Sequence, residues 1–217
     1  MSNINNRTQE ERLKMMEIVC SLLRSIERPG ANIEGLIDKL KESDFDTAPA
    51  STKYHNCFVG GLIDHSLNVY YNLESLVKNK HLEDTIPKES IIICGLLHDI
   101  SKINFYERGF RNKKVYSQEG SKWDDLGRFD WISEECWNVK PEKDRFIYGN
   151  HEETSEFMVR QFIPLKVAES VAILNHHAGQ GYDSNNMNIS GLYHKYPIAN
   201  LLHVADMIAT FTDENNE

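Results

Sequence analysis

The stretch Ile91-Ile92-Ile93-Cys94-Gly95-Leu96-Leu97-His98-Asp99-Ile100-Ser101-Lys102 decides how the fold is interpreted. Its apolar run predicts a helix buried on most sides, yet the run closes with His98, Asp99 and Lys102. Burying an imidazole, a carboxylate and an ammonium is costly unless they are paired. A divalent cation would pair His98 with Asp99, because its charge favours the ionised carboxylate and the ring nitrogen coordinates directly. The alternative is a core helix that ends in a solvated polar turn.

Lys102 follows Asp99 by three residues and His98 by four. In a continuing helix the three side chains share a face. We therefore expect the Lys102 ammonium to hold an anion beside the metal.

Length and charge restrict the class of protein. At 217 residues, without a proline- or glycine-rich seam, the chain is predicted to form one domain. The net charge of -9, from 24 Lys and Arg against 33 Asp and Glu, argues against binding long nucleic acid through a basic surface. The start of the chain has no signal-peptide core, and no apolar run reaches membrane-spanning length, so we expect a cytoplasmic protein without a membrane partner.

The cysteines are predicted to be reduced thiols. Cys20, Cys57, Cys94 and Cys136 are far apart and form no Cys-x-x-Cys pair. This spacing argues against both a disulfide framework and a cysteine zinc site.

Helical periodicity predicts an all-α domain. Residues 1–50 are interpreted as a helical cover, with a capping box at Thr8-Gln9-Glu10-Glu11, a stop at Pro29-Gly30 and a second cap at Asn32. Residues 55–210 would form the core. Its helices are expected after Gly60-Gly61, from Pro87, after a cap at Thr154-Ser155, after Pro164, and from Pro197 to Phe211.

Residues 103–148 are aromatic, charged and without clean periodicity. We expect an irregular insertion there, made of loops, short strands or short helices. Its aromatic content predicts that it is packed rather than disordered.

Several His and Asp residues fall at the ends or inner faces of separate predicted helices, as a metal site inside a helical bundle requires. They are His65, His98-Asp99, His151, His176-His177 and Asp206. Their order and context resemble the HD superfamily of metal-dependent phosphohydrolases, from about His55 to Thr210. The motifs that carry the resemblance are Gly60-Gly61-Leu62-x-x-His65-Ser66, Gly95-Leu96-Leu97-His98-Asp99-Ile100-Ser101-Lys102, Asn175-His176-His177-Ala178-Gly179 and Leu202-His203-x-Ala205-Asp206.

The resemblance implies an HD-domain helical bundle that holds two metals. The first metal would be held by His65, His98, Asp99 and Asp206. The second, as in the dinuclear branch of the superfamily, would be bridged by Asp99 and held by His151 with His176 or His177. The spacing His177-Ala178-Gly179 resembles the His-x-Gly version of small stand-alone members and favours His177, but His-His doublets in other branches can use either ring or both. Ser101 stands where the family usually has Gly, which is compatible with a helix.

The resemblance also implies roles for residues around the metals. Asp99, as the bridge, and Lys102, as a charge for the substrate phosphate, are the expected catalytic residues. His55 lies where related exoribonuclease modules also carry a His, and it is either a substrate contact or a helix cap. Arg108 and Arg111 follow in a basic cluster that could grip further phosphates. Mixed imidazole and carboxylate ligands suit Mn, Fe, Co or Zn better than Mg.

We therefore expect a hydrolase that cleaves phosphoester or phosphoanhydride bonds of a nucleotide or short oligonucleotide. An HD-type diiron oxygenase is one alternative, because such proteins share this ligand pattern yet activate oxygen. A non-catalytic nucleotide-binding HD protein is another, and the presence of every ligand argues against it. The expected partner is a small phosphorylated substrate.

Overall fold

The computed structural model describes residues 6–177 and 189–214. Within these ranges the chain forms eight α-helices and a three-stranded antiparallel sheet. The helices are α1 (Gln9–Arg24), α2 (Ile33–Glu42), α3 (Gly61–Asn79), α4 (Lys88–Leu97), α5 (His151–Arg160), α6 (Val167–Leu174), α7 (Ile189–Lys195) and α8 (Pro197–Ile208). The strands are β1 (Tyr106–Tyr116), β2 (Lys122–Asp124) and β3 (Gly127–Val139). Short 3-10 turns occupy Ile100–Lys102 and Glu142–Asp144, and a π-helical turn, Ala209–Asp213, follows α8.

The sheet shows that the all-α prediction is wrong, because the protein is a mixed α/β fold. Residues 103–148 hold a long hairpin instead of an irregular insertion. In it β1 pairs with β3 from Tyr106 opposite Val139 to Tyr116 opposite Phe129, and β2 pairs with β3 to give the order β1-β3-β2. Most residues of the strands are exposed on both faces. The strands therefore lack the alternation of buried apolar and exposed polar residues by which a sequence predicts a strand.

Helix α3 lies at the centre of the helical core. It packs against α4 and α8, and α8 packs against α6. Leu62, Leu73 and Val69 of α3 are completely buried. Each such side chain contributes about 1.5–3 kcal/mol to stability relative to an exposed position. On the outside, α1 packs on α3 and α4, and α2 packs on α1, as expected for a helical cover.

Helices α3 and α4 cross at very close range. A Cβ at Gly95 of α4 would lie 2.6 Å from the Cα of Tyr70 in α3, closer than real side chains approach. Glycine at this position therefore lets the two backbones meet. The close crossing brings His98, which follows the last residue of α4, next to His65 of α3.

The predicted starts of the N-terminal helices are confirmed. Thr8 and Glu11 form the capping box of α1, and the Asn32 side chain accepts a hydrogen bond from the backbone of α2. Pro87 precedes the first residue of α4.

The predicted cap at Thr154-Ser155 is wrong. The cap of helix α5 lies four residues before Thr154, where Asn150 accepts from the backbone N–H of Glu153 and Glu153 accepts from that of Asn150. Asn is as good a cap as Ser or Thr, and Asn-x-x-Glu has the form of a capping box. His151 thereby becomes the first residue of the helix.

None of the described helices is both long enough and apolar enough to cross a membrane. Residues 1–5, part of the start examined for a signal peptide, lie outside the described ranges. All four cysteines are unpaired thiols, as predicted.

Candidate metal centre

The residues assigned to the first metal meet at one buried point between α3, α4 and α8. The Oδ2 atom of Asp99 lies 3.6 Å from Nε2 of His65 and 3.5 Å from Nε2 of His98. The same His65 nitrogen is 3.3 Å from Oδ1 of Asp206. All four side chains are almost fully buried. The structure thus brings together two imidazoles and two carboxylates that are spread over more than half of the sequence.

The other oxygen of Asp99 faces a second pair of histidines. Its Oδ1 atom lies 3.6 Å from Nε2 of His176 and 3.9 Å from Nε2 of His151. His151 begins α5, and His176 follows the end of α6. The two oxygens of one carboxylate therefore point to two separate pairs of imidazoles, as a carboxylate that bridges two metals requires.

Two of these histidines are oriented by backbone carbonyls. Nδ1 of His98 lies 3.0 Å from the carbonyl oxygen of Gly95, and Nδ1 of His176 lies 2.7 Å from that of Ile173. Each carbonyl belongs to the residue three positions earlier. A carbonyl only accepts, so Nδ1 carries the proton in both rings. The lone pair of each ring is consequently on Nε2, the atom that faces Asp99.

The other two histidines are oriented by carboxylates that were not predicted from the sequence. Nδ1 of His65 is 3.0 Å from Oε1 of Glu214, and Nδ1 of His151 is 3.0 Å from Oε2 of Glu152. A carboxylate on the far nitrogen is a common partner of metal-ligating histidines. Glu152 is adjacent to His151 in the sequence, so its role as a partner of His151 could have been predicted. Glu214 had no such signal, because it follows the last helix.

Two buried acceptor atoms without partners indicate whether a cation fits this centre. Oδ1 of Asp99 and Nε2 of His176 are both buried, and neither has a hydrogen-bond partner among the described residues. A buried polar atom left unpaired costs about 1–3 kcal/mol. Both atoms can only accept, since the His176 proton is on Nδ1, so they cannot satisfy each other. A shared cation would satisfy both, and the donor set therefore fits a divalent metal.

His177 has different surroundings from His176. Its Nδ1 is 2.9 Å from Nε2 of His151 and 3.1 Å from Oε1 of Glu152, and its Nε2 is 3.4 Å from Oδ2 of Asp206. Burial lowers the pKa of His177, but the carboxylates outweigh burial and raise it to about 9. Nε2 of His176 faces Asp99, whereas Nε2 of His177 faces Asp206, so the geometry favours His176 as the ring that shares a metal with Asp99 and His151. Ala178 and Gly179, on which the preference for His177 rested, lie outside the described residues.

The surroundings keep Asp99 ionised and two histidines neutral. Burial raises the pKa of Asp99, but Lys102 and the histidines hold it well below its usual range. Burial lowers the pKa of His98 to about 3 and that of His151 to about 4. Near neutral pH these groups are in the protonation states that metal ligation requires.

Lys102 reaches Asp99 without a continuing helix. Helix α4 ends at Leu97, and Ile100–Lys102 forms a 3-10 turn, so the helix does not continue to Lys102. The turn nevertheless places Nζ of Lys102 2.7 Å from Oδ2 of Asp99. The pKa of Lys102 is raised, because the charge of Asp99 outweighs burial, and the side chain is a permanent cation beside the centre.

The predicted substrate contacts are divided between two regions. The His55 ring lies 4.9 Å from that of His65, and its buried Nε2 has no hydrogen-bond partner within the part of the chain that the structure describes. Burial lowers the pKa of His55 to about 4. Arg108 and Arg111 lie on β1 and contact β3, where Arg108 stacks 4.0 Å above Trp137 and Arg111 lies 3.5 Å from Glu134. The structure thus places His55 beside the centre and engages both arginines within the hairpin.

Comparison with protein-family models, curated proteins and solved structures gives no match for this chain. The functional assignment therefore rests on the chemistry of the site.

Proposed function

We propose that this chain is a metal-dependent phosphohydrolase that cleaves a phosphoester or phosphoanhydride bond of a nucleotide or short oligonucleotide. The observation that carries the proposal is the Asp99 carboxylate, whose two oxygens face two separate pairs of imidazole nitrogens. The resemblance of the ligand order to the HD superfamily supports the same reaction class.

His65, His98, Asp99 and Asp206 would hold one metal, and Asp99, His151 and His176 the other. Two divalent cations bound there would supply the charge that activates a water and stabilises the attacking and leaving oxygens of a phosphoryl displacement. The mixture of imidazole and carboxylate donors favours Mn, Fe, Co or Zn.

Lys102 supplies the charge that a phosphate needs beside the metals. Its ammonium is already at the carboxylate that bridges the two halves, and 14% of its side chain is exposed. A lysine acts on phosphate as a point charge that can turn toward it without a fixed geometry. Lys102 can therefore keep its contact with Asp99 and still donate a hydrogen bond to a phosphate oxygen.

The partly exposed histidines indicate where the substrate approaches. His65, His98 and His176 are completely buried, whereas the side chains of His151 and His177 are 35% and 27% exposed. We place the scissile phosphate on the side of these two rings, next to the end of α6.

A substrate screen with metal analysis tests the proposal. Protein loaded with Mn, Fe, Co or Zn is incubated with nucleotides, cyclic nucleotides and short oligonucleotides, with and without oxygen, and products are identified by mass. We expect two metals per chain and oxygen-independent hydrolysis. Turnover that requires oxygen would move the assignment to an oxygenase, and nucleotide binding without any product would indicate a binding protein.

A further inference from the structure

Glu214 is a buried carboxylate that reaches the metal centre from beyond the end of α8. Its side chain is 1% exposed. Oε1 and Oε2 lie 3.0 and 3.2 Å from Nδ1 of His65, and Nδ2 of Asn68 donates to Oε1 at 3.1 Å. Burying a carboxylate is costly unless it is paired. The burial of Glu214 is thus offset by groups of α3, one of which is a proposed metal ligand.

The π-helical turn after α8 explains how Glu214 arrives there. In an uninterrupted α-helix, Glu214 would lie about 80° around the axis from Asp206, eight residues earlier, because each residue turns the helix by about 100°. The N–H of Glu214 instead donates to the carbonyl oxygen of Ala209 at 3.0 Å, a bond that spans five residues. This wider turn uses one more residue. It returns Glu214 toward the face of Asp206, so that the two carboxylates reach opposite nitrogens of His65.

We propose that Glu214 is a positioning residue that sets the metal affinity of the half formed by His65, His98, Asp99 and Asp206. By accepting from Nδ1 of His65 it keeps the ring in one orientation and holds the lone pair on Nε2. Its negative charge also makes the ring a more basic ligand. This inference rests on the proposed metal centre. It adds that the metal affinity of one half of the centre depends on the π-helical turn that carries Glu214.

The expected effect is selective for one half of the centre. Loss of a carboxylate behind a ligating histidine typically weakens metal affinity by about 10–100-fold. The half that contains His151 and His176 has its own carboxylate, Glu152, on the far nitrogen of His151. That half should keep its affinity when Glu214 is changed.

The test is a Co²⁺ titration of protein stripped of metal, followed through the visible absorption of bound Co²⁺. Glu214→Gln removes the charge but keeps an oxygen that accepts from His65, whereas Glu214→Ala removes both. Asp213→Asn is the matched control, because Asp213 is the exposed neighbour in the same turn and accepts from Asn72 instead. Thermal unfolding of each stripped variant checks the fold, and the isosteric Glu214→Gln decides the test if the alanine variant is unstable.

We expect wild type to bind two Co²⁺ ions. Asp213→Asn should bind both ions with the same affinities as wild type. In Glu214→Gln one ion should bind about 10–100-fold more weakly with a changed spectrum, while the other binds as before. Two wild-type affinities with an unchanged spectrum in Glu214→Gln would overturn the role of Glu214 and leave the metal centre intact. Failure of the wild type itself to bind Co²⁺ would overturn both this inference and the proposed function.

Discussion

Replacing Gly95 by Ala should disturb the metal centre through the crossing of α3 and α4. The new Cβ would lie 2.6 Å from the Cα of Tyr70, whereas ordinary contacts begin at 3.4 Å, so the helices must separate by about 0.8 Å. Overpacking of this kind costs about 1–3 kcal/mol. Alanine recovers about 1 kcal/mol of helix propensity relative to glycine. We therefore expect a net loss of about 1 kcal/mol.

Moving α3 and α4 apart should also change the distance between the proposed metal ligands that they carry. Nε2 of His65 and Nε2 of His98 are 3.3 Å apart and are carried by α3 and the end of α4. Metal–ligand distances tolerate only about 0.2 Å. Affinity for the first metal should fall together with stability, as measured by Co²⁺ titration and urea unfolding. Ser75→Ala, on the exposed side of α3, is the control. Wild-type stability and metal affinity in Gly95→Ala would refute the claim that this crossing sets the geometry of the site.

Three further predictions concern single side chains. His151→Ala should lower metal content by about one equivalent with the fold intact; unchanged stoichiometry would mean that His151 is not a ligand. Lys102→Ala should keep both metals but slow the turnover of phosphate substrates, and equal activity would show that the charge comes from elsewhere. Glu169 is buried against Arg28 and Ser90, and these partners outweigh burial and lower its pKa. A lowered pKa stabilises the fold above the unfolded value of 4.5 and ceases to do so as pH falls through the folded value. Glu169→Gln should cost about 3 kcal/mol at pH 7, since it removes a carboxylate from the buried Arg28 guanidinium and leaves it with the more distant Glu89 and the carbonyl of Pro164. Its urea midpoint should depend less on pH below 4.5, and an equal pH dependence in wild type and variant would contradict the assignment.

The parts of the site that could be predicted are those carried by helical patterns. His65, His98 and Asp206 lie on or directly after long amphipathic or apolar helices, so their inward direction follows from periodicity. The choice between His176 and His177 could not be made this way. It depends on which of the two rings points a nitrogen at Asp99. Both residues follow the same helix end, so their sequence positions do not determine the direction of either ring.

The hairpin and Glu214 were missed for different physical reasons. The hairpin has two exposed faces, and its stability comes from pairing between β1 and β3 rather than from a buried stripe. Glu214 depends on the π-helical turn, which changes the face on which a residue lies. Neither feature leaves a periodic pattern in the sequence. The cap at Asn150, by contrast, could have been predicted from the capping box that Asn150 forms with Glu153. It was missed because Thr154 and Ser155 are also residue types that cap helices.

The most direct test of the dinuclear centre is metal analysis of wild type and Asp99→Asn. Asp99 precedes the 3-10 turn, but its side chain makes no capping hydrogen bond there, so loss of a cap would not explain a change. The variant takes one negative charge from both halves of the centre and gives each half a neutral amide. We predict two metals per wild-type chain, loss of both from the variant, and no nucleotide hydrolysis. Full metal content and activity in Asp99→Asn would contradict a bridge at Asp99.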